Sequence, residues 1–132
     1  MNTDLHNLLP KDKFDTEAAG QLSKLSDTEI ESLLWDLLQW TQDMNWPVAS
    51  EIVRILSDRG NLLEPYILKI LSEKQDDAIW KYWILSSLLP CLTDQPSQKI
   101  MLAIKRIADH PTMDEASEEA DAAAKKYLNP MK

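Results

Sequence analysis

The sequence predicts an all-α domain, and three observations carry that prediction. Only two glycines stand among 132 residues, so the glycine-rich turns of a sheet protein are missing. Seven prolines are spaced along the chain, each expected at a helix boundary rather than in an interior. Apolar residues recur at helical spacing, and no segment alternates between turn signals as a strand does.

The elements follow in order. Residues 1–15 form an N-terminal arm in which Leu5, Leu8 and Leu9 make a short turn before Pro10, and Phe14 is expected to plug the arm onto the body. Asp15 can cap a helix over about 16–25 that carries Ala18, Ala19, Leu22 and Leu25 on one side. Ser26 and Glu29 have capping-box spacing. They open a helix to about residue 41, with Ile30, Leu33, Leu34, Leu37, Leu38 and Trp40 as its apolar stripe. Trp35 lies off that stripe and is expected to meet the preceding helix or stay partly exposed.

Pro47 biases Trp46 toward an extended conformation and suits the first helical position itself. The helix after it, about 47–59, turns Val48, Ala49, Ile52, Val53, Ile55 and Leu56 inward, and Gly60 is expected as its left-handed cap. Pro65 then starts a helix over about 63–73. Asp76 or Asp77 caps another that reaches about residue 89, where Pro90 ends or kinks it. Asp94-Gln95-Pro96 opens a helix over about 96–109 with Ile100, Ala103, Ile104, Ile107 and Ala108 buried. Thr112 and Glu115 repeat the capping spacing before a last helix, about 114–128, lined by Ala116, Ala120, Ala123, Ala124 and Tyr127. Residues 129–132 read as a frayed tail. The whole is one domain of about seven helices joined by short turns.

Charge and composition exclude several functions. The formal net charge is −8, from 22 acidic and 14 basic residues, so neither nucleic acid nor an anionic membrane is an expected partner. No apolar run reaches the roughly 18 residues of a membrane span. Met1-Asn2-Thr3-Asp4 does not begin a secretory signal, and the single cysteine, Cys91, fits a reducing, cytoplasmic setting.

Signatures of chemistry are weak. Cys91 reads as a core or half-buried thiol, and a Cys91–His110 dyad is its only candidate pairing. Asp114, Glu115, Glu118, Glu119 and Asp121 read as a solvated face whose first carboxylates complement the helix N-terminus. Gly20 and Gly60 stand alone, which excludes a phosphate loop. No catalytic residue, cofactor or metal is expected.

The feature that organises the chain is an echo. Asp43-Met44-Asn45-Trp46-Pro47-Val48-Ala49 and Asp77-Ala78-Ile79-Trp80-Lys81-Tyr82-Trp83 each place an Asp three positions before a Trp, and the two tryptophans are 34 residues apart. Helix pairs repeating at that interval suggest a short HEAT-like right-handed stack of antiparallel pairs, with a compact orthogonal helical bundle as the alternative. Trp40 and Trp83 are expected in the core. Trp46 and Trp80 are expected side by side on one edge, where Asp43, Asn45, Lys81 and Tyr82 would complete a partner-binding patch. A competing structural reading has Asp43 hold its turn while each indole N–H bonds a neighbouring Asp.

The strings Leu9-Pro10-Lys11-Asp12-Lys13-Phe14-Asp15, Asp43–Ala49, Trp80-Lys81-Tyr82-Trp83-Ile84-Leu85 and Pro111-Thr112 resemble a bacterial family, domain-of-unknown-function family 5071, over about residues 8–128. The resemblance implies a HEAT-like helical repeat and no assigned activity, ligand or catalytic residue. The resulting expectation is a monomeric or dimeric, non-catalytic interaction module for a protein or peptide. Its charge and small size also fit an acidic immunity- or antitoxin-like protein that masks a basic partner. An enzyme of unrecognised type is the remaining alternative.

Overall fold

In the computed structural model, which describes residues 5–130, the chain is all helical. The first four residues of the expected arm and the last two of the expected tail lie outside the described residues. The nine α-helices among the described residues are α1 Thr16–Leu22, α2 Asp27–Glu31, α3 Leu34–Leu38, α4 Pro47–Leu56, α5 Gly60–Leu71, α6 Ala78–Trp83, α7 Gln98–Asp109, α8 Met113–Ser117 and α9 Ala120–Leu128. Several join into longer arms. A 3₁₀ turn, Gln39–Gln42, extends α3, and α6 runs through a π turn, Ile84–Leu88, into a 3₁₀ turn, Leu89–Cys91. The α6 arm therefore covers 78–91.

Packing joins α1 to α4, α5 to α7, and α7 along α9. Within the 78–91 arm, α6 lies against both α8 and α9 and the π turn against α9, so this arm and α8–α9 run side by side. One core cluster extends from Ala19 to Ala124. Helix starts recur at 16, 47, 78 and 113, with those at 27, 60 and 98 between them. Side-chain hydrogen bonds stitch across the same interval: Arg59 to the Leu25 carbonyl, Ser97 to Glu64, and Arg106 to the Leu71 carbonyl bridge 34, 33 and 35 positions.

The caps explain most boundaries. Both predicted capping boxes form, at Ser26/Glu29 and Thr112/Glu115. Asp77 accepts from the Trp80 N–H, while Ser97, not Asp94 or Pro96, caps α7 by accepting from Ile100 N–H. Asp15 stands at the start of α1, but its carboxylate accepts from Lys11 N–H and caps nothing.

Five expectations are corrected. Gly60 is no left-handed cap: it opens α5, and no glycine has positive φ among the described residues. Arg59 satisfies the end of α4 instead: its guanidinium donates to the Ile55 carbonyl at 2.7 Å and its backbone N–H to the Leu56 carbonyl at 3.0 Å. Pro65 falls inside α5, where its missing N–H forfeits one helical hydrogen bond at an exposed position. The 27–41 helix is broken around Leu33, a tightening that keeps Ile30, Leu33, Leu34, Leu37 and Leu38 all buried. The last helix is broken at Glu119, whose φ of 64° is left-handed.

Phe14 is the fifth. It is 65% exposed, because Asp12 closes a turn onto Phe14 N–H, and the arm is pinned instead by Val48 N–H on the Lys13 carbonyl.

Candidate functional site

The Asp-x-x-Trp echo folds into two different joints. Proline decides the difference. Pro47 is the first helical residue, so Trp46 stays extended outside α4, while Asp43 accepts from Asn45 N–H at 2.9 Å and closes a turn. In the second copy no proline intervenes, Asp77 itself is the cap, and Trp80 lies inside α6. The same spacing is thus out of phase by about one helical turn.

That phase sends Trp80 inward. It is 3% exposed, its ring centroid is 5.5 Å from that of Trp35, and its indole N–H donates to Thr41 Oγ1 at 2.9 Å rather than to an Asp. Trp46 is half-buried against Trp40, with centroids 5.8 Å apart in an edge arrangement. Trp40 and Trp83, expected in the core, are only half-buried. Trp35 is half-buried too, meeting Tyr66, Trp80 and the Lys69 ammonium instead of the preceding helix.

Lys81 is the largest departure from the expected edge. It is 1% exposed, and its ammonium donates to Glu115 Oε2 at 2.6 Å. Glu115 is fully buried, so it leaves the solvated face that its acidic neighbours Asp114, Glu118 and Glu119 keep. The carboxylate also accepts from Arg106 through both oxygens and from Thr112 N–H. Burial pushes its pKa up, but the Arg106 and Lys81 bonds outweigh that and hold it at about 2. This cluster fastens α6, α7 and α8 to one another. Of the six residues expected to form a binding edge, Trp80 and Lys81 are therefore interior, and Asp43, Asn45 and Trp46 belong to a separate turn.

Tyr82 is the one that reaches a cleft. The cavity, about 600 Å³, lies between the 78–91 arm and α8–α9, and Tyr82, Leu85, Glu119, Ala122, Lys126 and Tyr127 are among its lining residues. Burial raises the pKa of the Tyr127 phenol. A second cleft of about 580 Å³ adjoins it toward α4, lined by Met44, Val53, Arg54 and Cys91 among others. The two share the exposed Ser86 and Pro90, so they lie side by side along the 78–91 arm, one toward α4 and one toward α9. Cys91 is exposed here rather than in the core.

Local sequence builds this groove. Pro90 lacks the N–H that would bond the Ser86 carbonyl, which fits the looser π winding of 84–88. The alanines of α9 leave a shallow wall where larger side chains would fill the space. The residues that sequence reasoning missed, Glu119, Ala122 and Lys126, follow from that alanine run and from a helix break that no glycine announces.

Fold and groove together define a small all-helical protein with a tyrosine-bearing, largely apolar concave surface. The chain belongs to the family described as domain of unknown function (DUF5071), whose model matches residues 8–128. No curated protein matches the chain. Among the described residues, no helix is long and apolar enough to cross a membrane, and no group of three or more His, Cys, Asp or Glu could hold a metal ion.

Proposed function

We propose that the protein is a non-catalytic helical interaction module of the cytoplasm that receives a peptide segment of a partner protein in the groove across α4, the 78–91 arm and α9. The single observation that carries this reading is the pair of adjoining clefts that flank the 78–91 arm and share Ser86 and Pro90. Its lining suits the purpose. Leu85, Val53 and Met44 offer apolar area, and Tyr82 and Tyr127 add rings with a polar tip, the usual material of a binding hot spot.

The architecture favours the same reading. Helix starts at 16, 47, 78 and 113, with intervening starts at 27, 60 and 98, have the interval of a helix-pair stack. In a HEAT-like right-handed stack, every second helix lines the concave side, which is where such proteins present extended binding surfaces. The groove uses the helices beginning at 47 and 78 and α9 of the arm that begins at 113.

Ala122 is exposed on the groove wall, so Ala122→Trp fills the cleft without disturbing the core. Peptide-display selection on the wild type is expected to enrich a consensus, and Ala122→Trp is expected to lose those peptides while keeping the wild-type Tm. Selected peptides that bind both proteins equally would place the binding surface elsewhere.

A further inference from the structure

Two opposite charges of the cleft beside α9 stand near the two ends of that helix. Glu119 and Lys126 both line the cleft between the 78–91 arm and α9, and Glu119 is the one carboxylate among the residues lining either cleft. They are seven positions apart, Glu119 just before the first residue of α9 and Lys126 within it, roughly 10 Å along the axis at helical rise. Ala122 and Ala123 lie between them on the wall, with Leu85 among the residues on the opposite helix. Glu119 is held there by the only left-handed non-glycine residue in the described chain, so its position is set by the backbone break and not by a helix register.

We infer that the groove takes a polyproline-type peptide segment carrying a Lys or Arg against Glu119 and an Asp or Glu three residues away against Lys126. This rests on the groove reading above and adds the chemistry of the occupant. The spacing suits that conformation. A polyproline helix rises about 3.1 Å per residue with three residues per turn, so positions three apart share a face and lie about 9 Å apart. That is close to the roughly 10 Å that helical rise gives between Glu119 and Lys126. An extended β-strand puts positions three apart on opposite faces and fits it poorly. Tyrosine-bearing grooves are suited to polyproline segments, which enter binding already ordered. The apolar residues between the two charges would meet Leu85, Ala122 and Ala123, and Tyr82 and Tyr127 supply rings for proline.

The test uses four hexapeptides on one scaffold, Pro-X-Leu-Pro-Z-Pro, with X and Z set to Arg and Glu, Arg and Arg, Glu and Glu, or Gln and Gln. Binding of each fluorescent peptide to the full chain is measured at low and high salt. The mixed-charge peptide is expected to bind wild type about fivefold tighter than the other three, an advantage that shrinks at high salt because both pairs are solvent-screened. Lys126→Glu is expected to shift the preference to the Arg/Arg peptide and Glu119→Lys to the Glu/Glu peptide. Both side chains are exposed, so both variants should fold. A ranking that neither substitution changes overturns the proposal, as does a mixed-charge peptide no better than the Gln/Gln one. If all four bind alike and Ala122→Trp abolishes them, the charge code falls while the groove stands. If none binds, the occupant assigned here is wrong, and the display selection judges the groove separately.

Discussion

Lys81 Nζ and Glu115 Oε2 lie 2.6 Å apart with both side chains out of solvent, 34 positions apart in sequence. The pair joins the starts of two helices that run side by side, α6 and α8. Glu115 also closes the capping box of α8 and takes the Arg106 guanidinium, whose other bond satisfies the last carbonyl of α5. One carboxylate thus ties together three helical arms and reaches a fourth through Arg106.

The first prediction concerns acid. The Glu115 pKa is depressed from its ordinary value of 4.5 to about 2, so the unfolded chain takes up the proton first as pH falls. The stabilisation is complete above about pH 5 and drains away between pH 4.5 and 2. A shift of this size corresponds to roughly 3 kcal/mol. Thermal melts from pH 7 to 2 should show a steep acid limb in the wild type. Glu115→Gln should lower the neutral-pH stability by about 3–5 kcal/mol, because it strands the Lys81 charge in the interior, and should flatten that limb.

The partners of that carboxylate should not be equivalent. Lys81→Met removes a buried ammonium and leaves Glu115 with both Arg106 bonds and Thr112 N–H, so no charge is left unpaired. Its cost in urea denaturation should be less than half that of Glu115→Gln. Equal losses would mean that Arg106 does not hold the carboxylate alone.

A third prediction tests the joint between the 78–91 arm and the turn after α3. Thr41 is fully buried, donates to the Leu38 carbonyl and accepts from the Trp80 indole. Thr41→Val keeps the shape but strands the indole N–H. The expected loss is about 1–3 kcal/mol, with a changed Trp emission spectrum. Asp77→Ala, which removes only the α6 cap, should cost about 1 kcal/mol and leave the emission unchanged.

These residues also show what could be read in the sequence and what could not. The helical class, the two capping boxes, the Asp77 cap and the inward faces of α4 and α7 are local properties, set within a few positions by spacing and side-chain chemistry. The fates of Trp80 and Lys81 are not local. Their partners Thr41 and Glu115 lie 39 and 34 positions away, and a lysine on a helix start carries no mark of an acid on another helix. The Asp-x-x-Trp echo misled because identical spacing met Pro47 in one copy and none in the other. The groove was hidden for a related reason. Its walls come from three arms, and only Met44 and Tyr82 fell within the two segments that stood out.

Gly60 offers a direct contrast between the expected and the observed backbone. A left-handed cap would make Gly60→Ala destabilising by about 1 kcal/mol. As the first residue of α5 with no positive φ, Gly60 has room for a Cβ, which would meet Leu92 Cδ1 at 3.6 Å, an ordinary contact. Gly60→Ala should therefore stabilise the protein by about 0.4–1 kcal/mol, chiefly by restricting the unfolded chain. Gly20→Ala, inside α1 with nothing within 4 Å of the new carbon, should do the same. The urea midpoint should rise for both with an unchanged m value.

Glu119 separates backbone strain from charge at the groove. Its φ of 64° and ψ of 19° cost about 1 kcal/mol for a residue with a side chain, a penalty that glycine does not carry. Glycine also loses more conformational entropy on folding, which offsets part of the gain. Glu119→Gly should therefore leave stability unchanged or raise it by less than about 1 kcal/mol. Glu119→Val, with a β-branched side chain in the same conformation, should lower it by more than 1 kcal/mol by the same accounting, about the cost of the strain itself. Urea denaturation of the three proteins gives the order Gly, then Glu, then Val. If glycine instead proved clearly destabilising, the Glu119 side chain would have to be holding the α8–α9 break through a contact of its own. If the order holds, the carboxylate contributes little to the fold, and a loss of peptide binding in the glycine variant reports on its charge in the groove.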